Sequence, residues 1–149
     1  MAYFDKDYNQ FFKDLAANNH KDWFHENKKR YEKSVKEPFK AFVDEMIGRL
    51  KEVEPDLNLE PKDCIHRINR DIRFSKDKTP YKTRMSAHIS AKGKKDYQYP
   101  SLFFEMGPES VGLYGGAYMV DKDRLEGLRE HIAGVQIRQP DRDACQDSA

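Results

Sequence analysis

The sequence predicts an α+β fold: an N-terminal helical layer packed on an antiparallel β-meander, with a further helix after the sheet. Three observations carry this reading. Apolar residues recur at helical spacing through the first third of the chain. The period falls to two between residues 85 and 114, and short turns rich in Gly, Pro and Lys separate the alternating runs.

In the first helix, Tyr8, Phe11, Phe12 and Leu15 stand at i, i+3, i+4 and i+7, which puts them on one face. Asp5 or Asp7 serves as its cap and Asn18-Asn19 as its stop. A second helix begins near Asn19, anchored by Trp23, Phe24, Tyr31 and Val35. Asn27 shares that stripe, and its amide is expected to be buried and bonded to a loop or turn. Pro38 breaks or restarts the helix, because proline is tolerated in a first turn and not in an interior. Phe39, Phe42, Val43, Met46, Ile47, Leu50 and Val53 follow at helical spacing until Pro55. The helical layer should bury Phe11, Phe12, Leu15, Phe24, Tyr31, Phe42, Met46, Ile47 and Leu50 together.

Cys64 to Ile68 reads as a short strand. Met85, Ala87, Ile89 and Ala91 alternate with Ser86, His88 and Ser90, the pattern of a half-buried strand. After a turn at residues 92–96, Leu102, Phe104 and Met106 alternate with Phe103 and Glu105. Gly107-Pro108-Glu109 turns again, and Val111 and Leu113 alternate with Gly112 and Tyr114. The glycines at 112, 115 and 116 suit a bulge or a tight turn. Asp121 caps a last helix, with Val120 and Leu125 as a staple; Leu125, Leu128 and Ile132 form its stripe and Gly134 closes it. These elements group as one domain over residues 1–134, followed by a polar tail over 135–149 that should pack poorly and leave an apolar sheet face uncovered.

Composition narrows the function classes. The chain has 149 residues, 36% of them charged, with a net charge of +1. It has no apolar run long enough for a membrane span and no apolar leader, so no membrane partner is expected and a cytoplasmic location is the default. Cys64 and Cys145 lack the paired spacing of a disulfide framework or a zinc knuckle.

Charge is balanced overall but not locally. Residues 62–95 carry 11 basic and 3 acidic side chains, between flanks of net −2 and net −5. Within this block, residues 69–84 join two strands without a period of their own. Connections that long are uncommon unless they are functional or disordered, and Ile72, Phe74 and Tyr81 are available to pin this one. The candidate binding residues are Arg67, Arg70, Asp71, Arg73, Lys76, Lys78, Tyr81, Lys82 and Arg84. Guanidinium forks and mobile ammonium groups suit phosphate or carboxylate. Arg67, Arg70, Arg73 and Lys78 are expected to turn toward one concavity, with Tyr81 as a wall and Asp71 orienting an Arg. No metal site is assigned, although Asp71, Asp77, Glu105 and His66 are of the types that hold hard cations.

The run Arg67-x-x-Arg70-Asp71-x-Arg73-Phe74-Ser75-Lys76-Asp77-Lys78-x-Pro80-Tyr81-Lys82 resembles the signature of the uncharacterised conserved family called domain of unknown function 2461. Trp23-Phe24, Asn27, Tyr31 and Pro38 upstream, and Gly115-Gly116, Tyr118, Leu125 and Arg129 downstream, also match its pattern, so the resemblance covers roughly residues 8–133. His66 departs from it, standing where an aromatic or apolar residue is expected. The polar ending after Ala133 also departs from it, as in a truncated or frame-shifted chain. The resemblance implies no activity, cofactor or catalytic residue. The leading expectation is binding of a phosphorylated or other anionic ligand by segment 67–84, either a phosphate-bearing small molecule or nucleic acid. The alternatives are a metal-assisted phosphoesterase using Asp71, Asp77 or Glu105, and a structural role in which the basic loop is an internal ion-pair brace.

Overall fold

In a computed structural model of the chain, residues 3–95 and 99–134 are described. The chain divides into two compact units, residues 1–118 and 119–149, so the division falls at Tyr118 rather than at Gly134.

The first unit opens with α1 (Lys6–Ala17), capped by the Asp5 carboxylate, which accepts from the Tyr8 amide. Tyr8, Phe11, Phe12 and Leu15 are buried, as their spacing predicts. α2 (Lys21–Glu26) is capped by His20, whose Nδ1 accepts from the Trp23 amide. It passes through Asn27 into α3 (Lys28–Tyr31). Arg30 ties α3 to α1: its Nε donates to Asp7 at 3.0 Å, its Nη1 to Asp14 Oδ2 at 2.8 Å, and its guanidinium stacks over Phe11.

The helix does not break at Pro38. It widens into a π-turn over Glu32–Lys36 and continues as α4 (Glu37–Val53). A proline clashes with the carbonyl four residues before it and offers no N–H to it. Here the Glu37 amide reaches back to the Glu32 carbonyl, the wider π spacing, just before Pro38 begins the next α-helical stretch. Tyr31, Val35, Phe39, Val43 and Ile47 are the buried stripe of this composite helix. Phe24, Phe42, Met46 and Leu50 are half-buried and pack against the core from its margin.

Cys64–Ile68 is not a strand. Cys64 ends a short helix, α5 (Pro61–Cys64), closed by reciprocal bonds between Glu60 and Asp63. Pro61 suits its first turn. Beyond it only isolated bridges form, Ile65 with Ala87 and Asn69 with Tyr81.

The meander forms as expected, with β1 (Met85–Ser90), β2 (Ser101–Met106) and β3 (Val111–Gly116) in the order β1-β2-β3, both pairings antiparallel. Met85, Ala87, Ile89 and Phe104 face the helical core. β3 keeps one unbroken register opposite β2, so its glycines mark neither a bulge nor a turn. Val111 and Leu113 on β3 are exposed. β1 is not half-buried: Ser86, His88 and Ser90 are buried as fully as their apolar neighbours.

In the second unit, α6 (Lys122–Gly134) starts where Asp121 accepts from the Arg124 amide, and none of its residues is buried. The tail over 135–149 lies outside the described residues.

Candidate functional site

The basic segment leaves the sheet as an excursion with a clamped base. The Lys82 amide donates to the Ile68 carbonyl and the Arg70 amide to the Pro80 carbonyl, each at 2.9 Å. Asn19, at the α1–α2 junction, completes the clamp. Its amide donates to the Tyr81 carbonyl at 2.9 Å and its carbonyl oxygen accepts from the Tyr81 amide at 3.1 Å. One side chain thus meets both backbone groups of a buried residue, which would otherwise be costly to leave unpaired. Asn27, expected to make such a bond, donates to the Trp23 carbonyl within its own helix. The two asparagines cannot be ranked from sequence, because the choice depends on which helix end meets the loop.

At the tip, the cations are matched. Arg73 grips Asp71 with two bonds, Nε to Oδ1 at 2.9 Å and Nη2 to Oδ2 at 2.7 Å. Arg70 pairs with Asp77, which also accepts from the Thr79 amide. The guanidinium bonds hold the carboxyls of Asp71 and Asp77 down at about 2. Lys78 donates to the Ile72 carbonyl at 2.9 Å, and Lys76 is exposed. Tyr81 is a core residue rather than an open wall: it is buried and its ring stacks on Phe24 with centroids 4.1 Å apart.

At the base, the cations are not matched. Arg67, Lys82 and Arg84 lie in one electrostatic neighbourhood with a single carboxylate, Glu105. Arg84 Nε takes that carboxylate at 3.0 Å. Arg67 and Lys82 make no hydrogen bond or ion pair with a side chain among the described residues. Partial burial pushes the Lys82 ammonium below its usual pKa, and Arg67 and Arg84 push it further.

Glu105 also borders a cavity of about 570 Å³ on the sheet face turned away from the helices. His66 and His88 lie parallel there, 6.5 Å between ring centroids, and Phe103 pairs across the strands with Tyr114 at 5.9 Å. The segment around α5 and the turn after β1 fold over this side. Lys94 Nζ donates to the Lys62 and Ile65 carbonyls, the Lys94 amide donates to the Asp63 carbonyl, and the Lys94 carbonyl meets His88 Nδ1 at 3.2 Å. Burial lowers the pKa of His66, helped by the charge of Lys82. The signal for this cavity lay in the alternation of β1. A polar face of two serines and a histidine was read as solvent-facing, and nothing local to the strand tells that it is covered.

Among the described residues no group of three or more His, Cys, Asp or Glu side chains gathers as a metal site would require. Asp71 and Asp77 are held by arginines, and Glu105 by Arg84.

The chain belongs to the family described as Conserved hypothetical protein (DUF2461), whose match spans residues 7–143 and so runs past Ala133. Among curated proteins and solved structures nothing matches the chain. No helix among the described residues is long and apolar enough to cross a membrane.

Proposed function

We propose that this domain binds a phosphorylated or otherwise anionic ligand at the base of the basic segment, with Arg67 and Lys82 as its first contacts and Arg84 behind them. The observation that carries this reading is the uneven distribution of counter-charge. Arg70 and Arg73 at the tip each have an aspartate, whereas three cations at the base share Glu105. Like charges held together repel, and an anion seated between them relieves that repulsion. The tip then acts as a brace that keeps the segment's shape, and the base acts as the receptor. Phosphate, pyrophosphate and the backbone of a nucleic acid share the chemistry that this cluster recognises. A reducing, cytoplasmic setting is part of the same proposal; it is supported by Cys64, a free thiol whose burial pushes its pKa up to about 11.

The test is thermal unfolding in the presence of inorganic phosphate and pyrophosphate. A ligand at a hundred times its dissociation constant stabilises the native state by about 2.7 kcal/mol, and added salt should weaken the effect. Lys82→Ala and Arg67→Ala should remove the shift, and Arg73→Ala should keep it. A wild-type protein whose Tm ignores both anions would overturn the proposal.

A further inference from the structure

We propose that the cavity on the outer sheet face takes the base of a nucleoside phosphate, so that the anion at Arg67 and Lys82 is the phosphate of that same ligand. This inference rests on the anion-binding reading and names the ligand class.

Four features of the cavity carry it. First, its size, about 570 Å³, is in the range of small-molecule sites, roughly 300–1,000 Å³. Second, its walls are rings: His66, Phe103, Tyr114 and Tyr118 border it, and flat π-surfaces favour a flat heteroaromatic guest regardless of its exact substituents.

Third, β3 keeps the floor clear. Gly116, opposite Ser101 on this face, has φ +141, and a Cβ there would project into open space. At Gly112, a Cβ would lie 2.8 Å from Tyr114 Cε2, so the missing side chain lets the Tyr114 ring fold flat along the strand toward Glu105. Glycine in a strand normally weakens it; here two of them shape a recess. Fourth, the cavity is joined to the cations. Glu105 borders it while bound to Arg84, and Lys82 lies within the electrostatic reach of both Glu105 and His66. The Glu105 carboxylate, its charge already met by Arg84, keeps lone pairs for a ribose hydroxyl or a ring N–H. An apolar ring site next to a cationic site matches a ligand that is aromatic at one end and anionic at the other.

Calorimetric titration tests this with inorganic phosphate, ribose 5-phosphate, the four ribonucleoside 5′-monophosphates and a short single-stranded oligonucleotide. At least one mononucleotide should bind tighter than ribose 5-phosphate by roughly tenfold or more, the scale of one stacked base. Phe103→Ala should erase that advantage and leave the affinity for ribose 5-phosphate unchanged. Tyr114→Ala, at an exposed position, gives the same readout should Phe103→Ala fail to fold. An oligonucleotide that binds tighter than every mononucleotide assigns the base–phosphate unit to a nucleic-acid strand, and the reverse assigns it to a free nucleotide. If all four mononucleotides bind no better than ribose 5-phosphate, the cavity plays no part and this inference falls while the anion site stands. If no phosphate-bearing probe binds, both fall.

Discussion

The two faces of β1 and β2 are both covered, and they are covered by opposite chemistry. On the inner face, Met85, Ala87, Ile89 and Phe104 meet Phe39 and Phe42, and burial of apolar area supplies the stability. On the outer face, Ser86, His88 and Ser90 are as deeply buried, but what surrounds them is a carbonyl-rich segment, two lysines and a carboxylate. Burying polar groups gains little even when every one is bonded. A fold that spends a whole strand face this way is holding polar groups in place for something other than its own stability. The difference teaches where to look for function: on the side whose burial is thermodynamically least rewarding.

That contrast can be broken or sharpened by substitution. The largest effect should come from the inner face. Phe39→Ala should cost about 3–5 kcal/mol in urea denaturation, because the residue is fully buried and leaves a cavity. Phe42→Ala, at the core margin, should cost less. On the outer face, Phe103→Ala should cost about 1 kcal/mol, within the ordinary range for a half-buried site. An outer-face loss equal to that of Phe39→Ala would erase the distinction between the faces.

Asn19→Ala comes next, at about 1–3 kcal/mol, since it strands both backbone groups of Tyr81. Hydrogen exchange at the Tyr81 amide should accelerate, whereas Asn27→Ala should leave that amide protected.

A smaller effect should appear with pH. The folded pKa of His66 is depressed, so between that value and the ordinary histidine range the unfolded chain binds more protons. Stability should therefore be fully present above about pH 6.5 and decline as the pH falls below it. His66→Phe should remove this decline. The carboxyls of Asp7 and Asp14 are likewise depressed, by Arg30, so their contribution is present above about pH 4 and lost on further acidification. Arg30→Gln should flatten that lower limb and leave the His66 limb alone.

The smallest change should be Gly112→Ala. A strand alanine is favoured over glycine by roughly 0.5–1 kcal/mol, and displacing the flexible Tyr114 ring should offset it, leaving stability nearly unchanged. The Tyr114 ring resonances should nevertheless shift in the NMR spectrum.

Local patterns in the sequence foretold the elements well. The i, i+3, i+4 spacing in α1, the cap at Asp5, the meander and the cap at Asp121 are all short-range signals, and all appear in the structure. Failures came where a distant segment decided the outcome. Cys64 to Ile68 has strand-like residues, yet Pro61 and the Glu60–Asp63 bonds turn its start into a helix. Tyr81 reads as an exposed loop aromatic until Phe24 is known to lie beneath it. The basic block was plain from composition, but which of its cations are matched depends on pairings seven residues apart or across the sheet, at Asp77 and Glu105. The cavity beside them was invisible, because it is assembled from three strands and one isolated bridge.

The π-turn over Glu32–Lys36 has a consequence for how this chain can tolerate change in length. The buried stripe Tyr31, Val35, Phe39, Val43 and Ile47 advances by four residues each time, so in a uniform α-helix it would drift by roughly 40° per step around the axis. The wide turn unwinds part of that drift by accommodating one additional residue, and so keeps both halves of the helix pointed at the same core. A single codon lost between residues 32 and 36 would tighten the turn to α geometry and swing α4 by about 100°. Phe39, Val43 and Ile47 would then face solvent, although every one of them would still be present. Reading-frame-preserving deletions, usually tolerated best in loops, should be least tolerated here, in the middle of the longest helical segment of the chain.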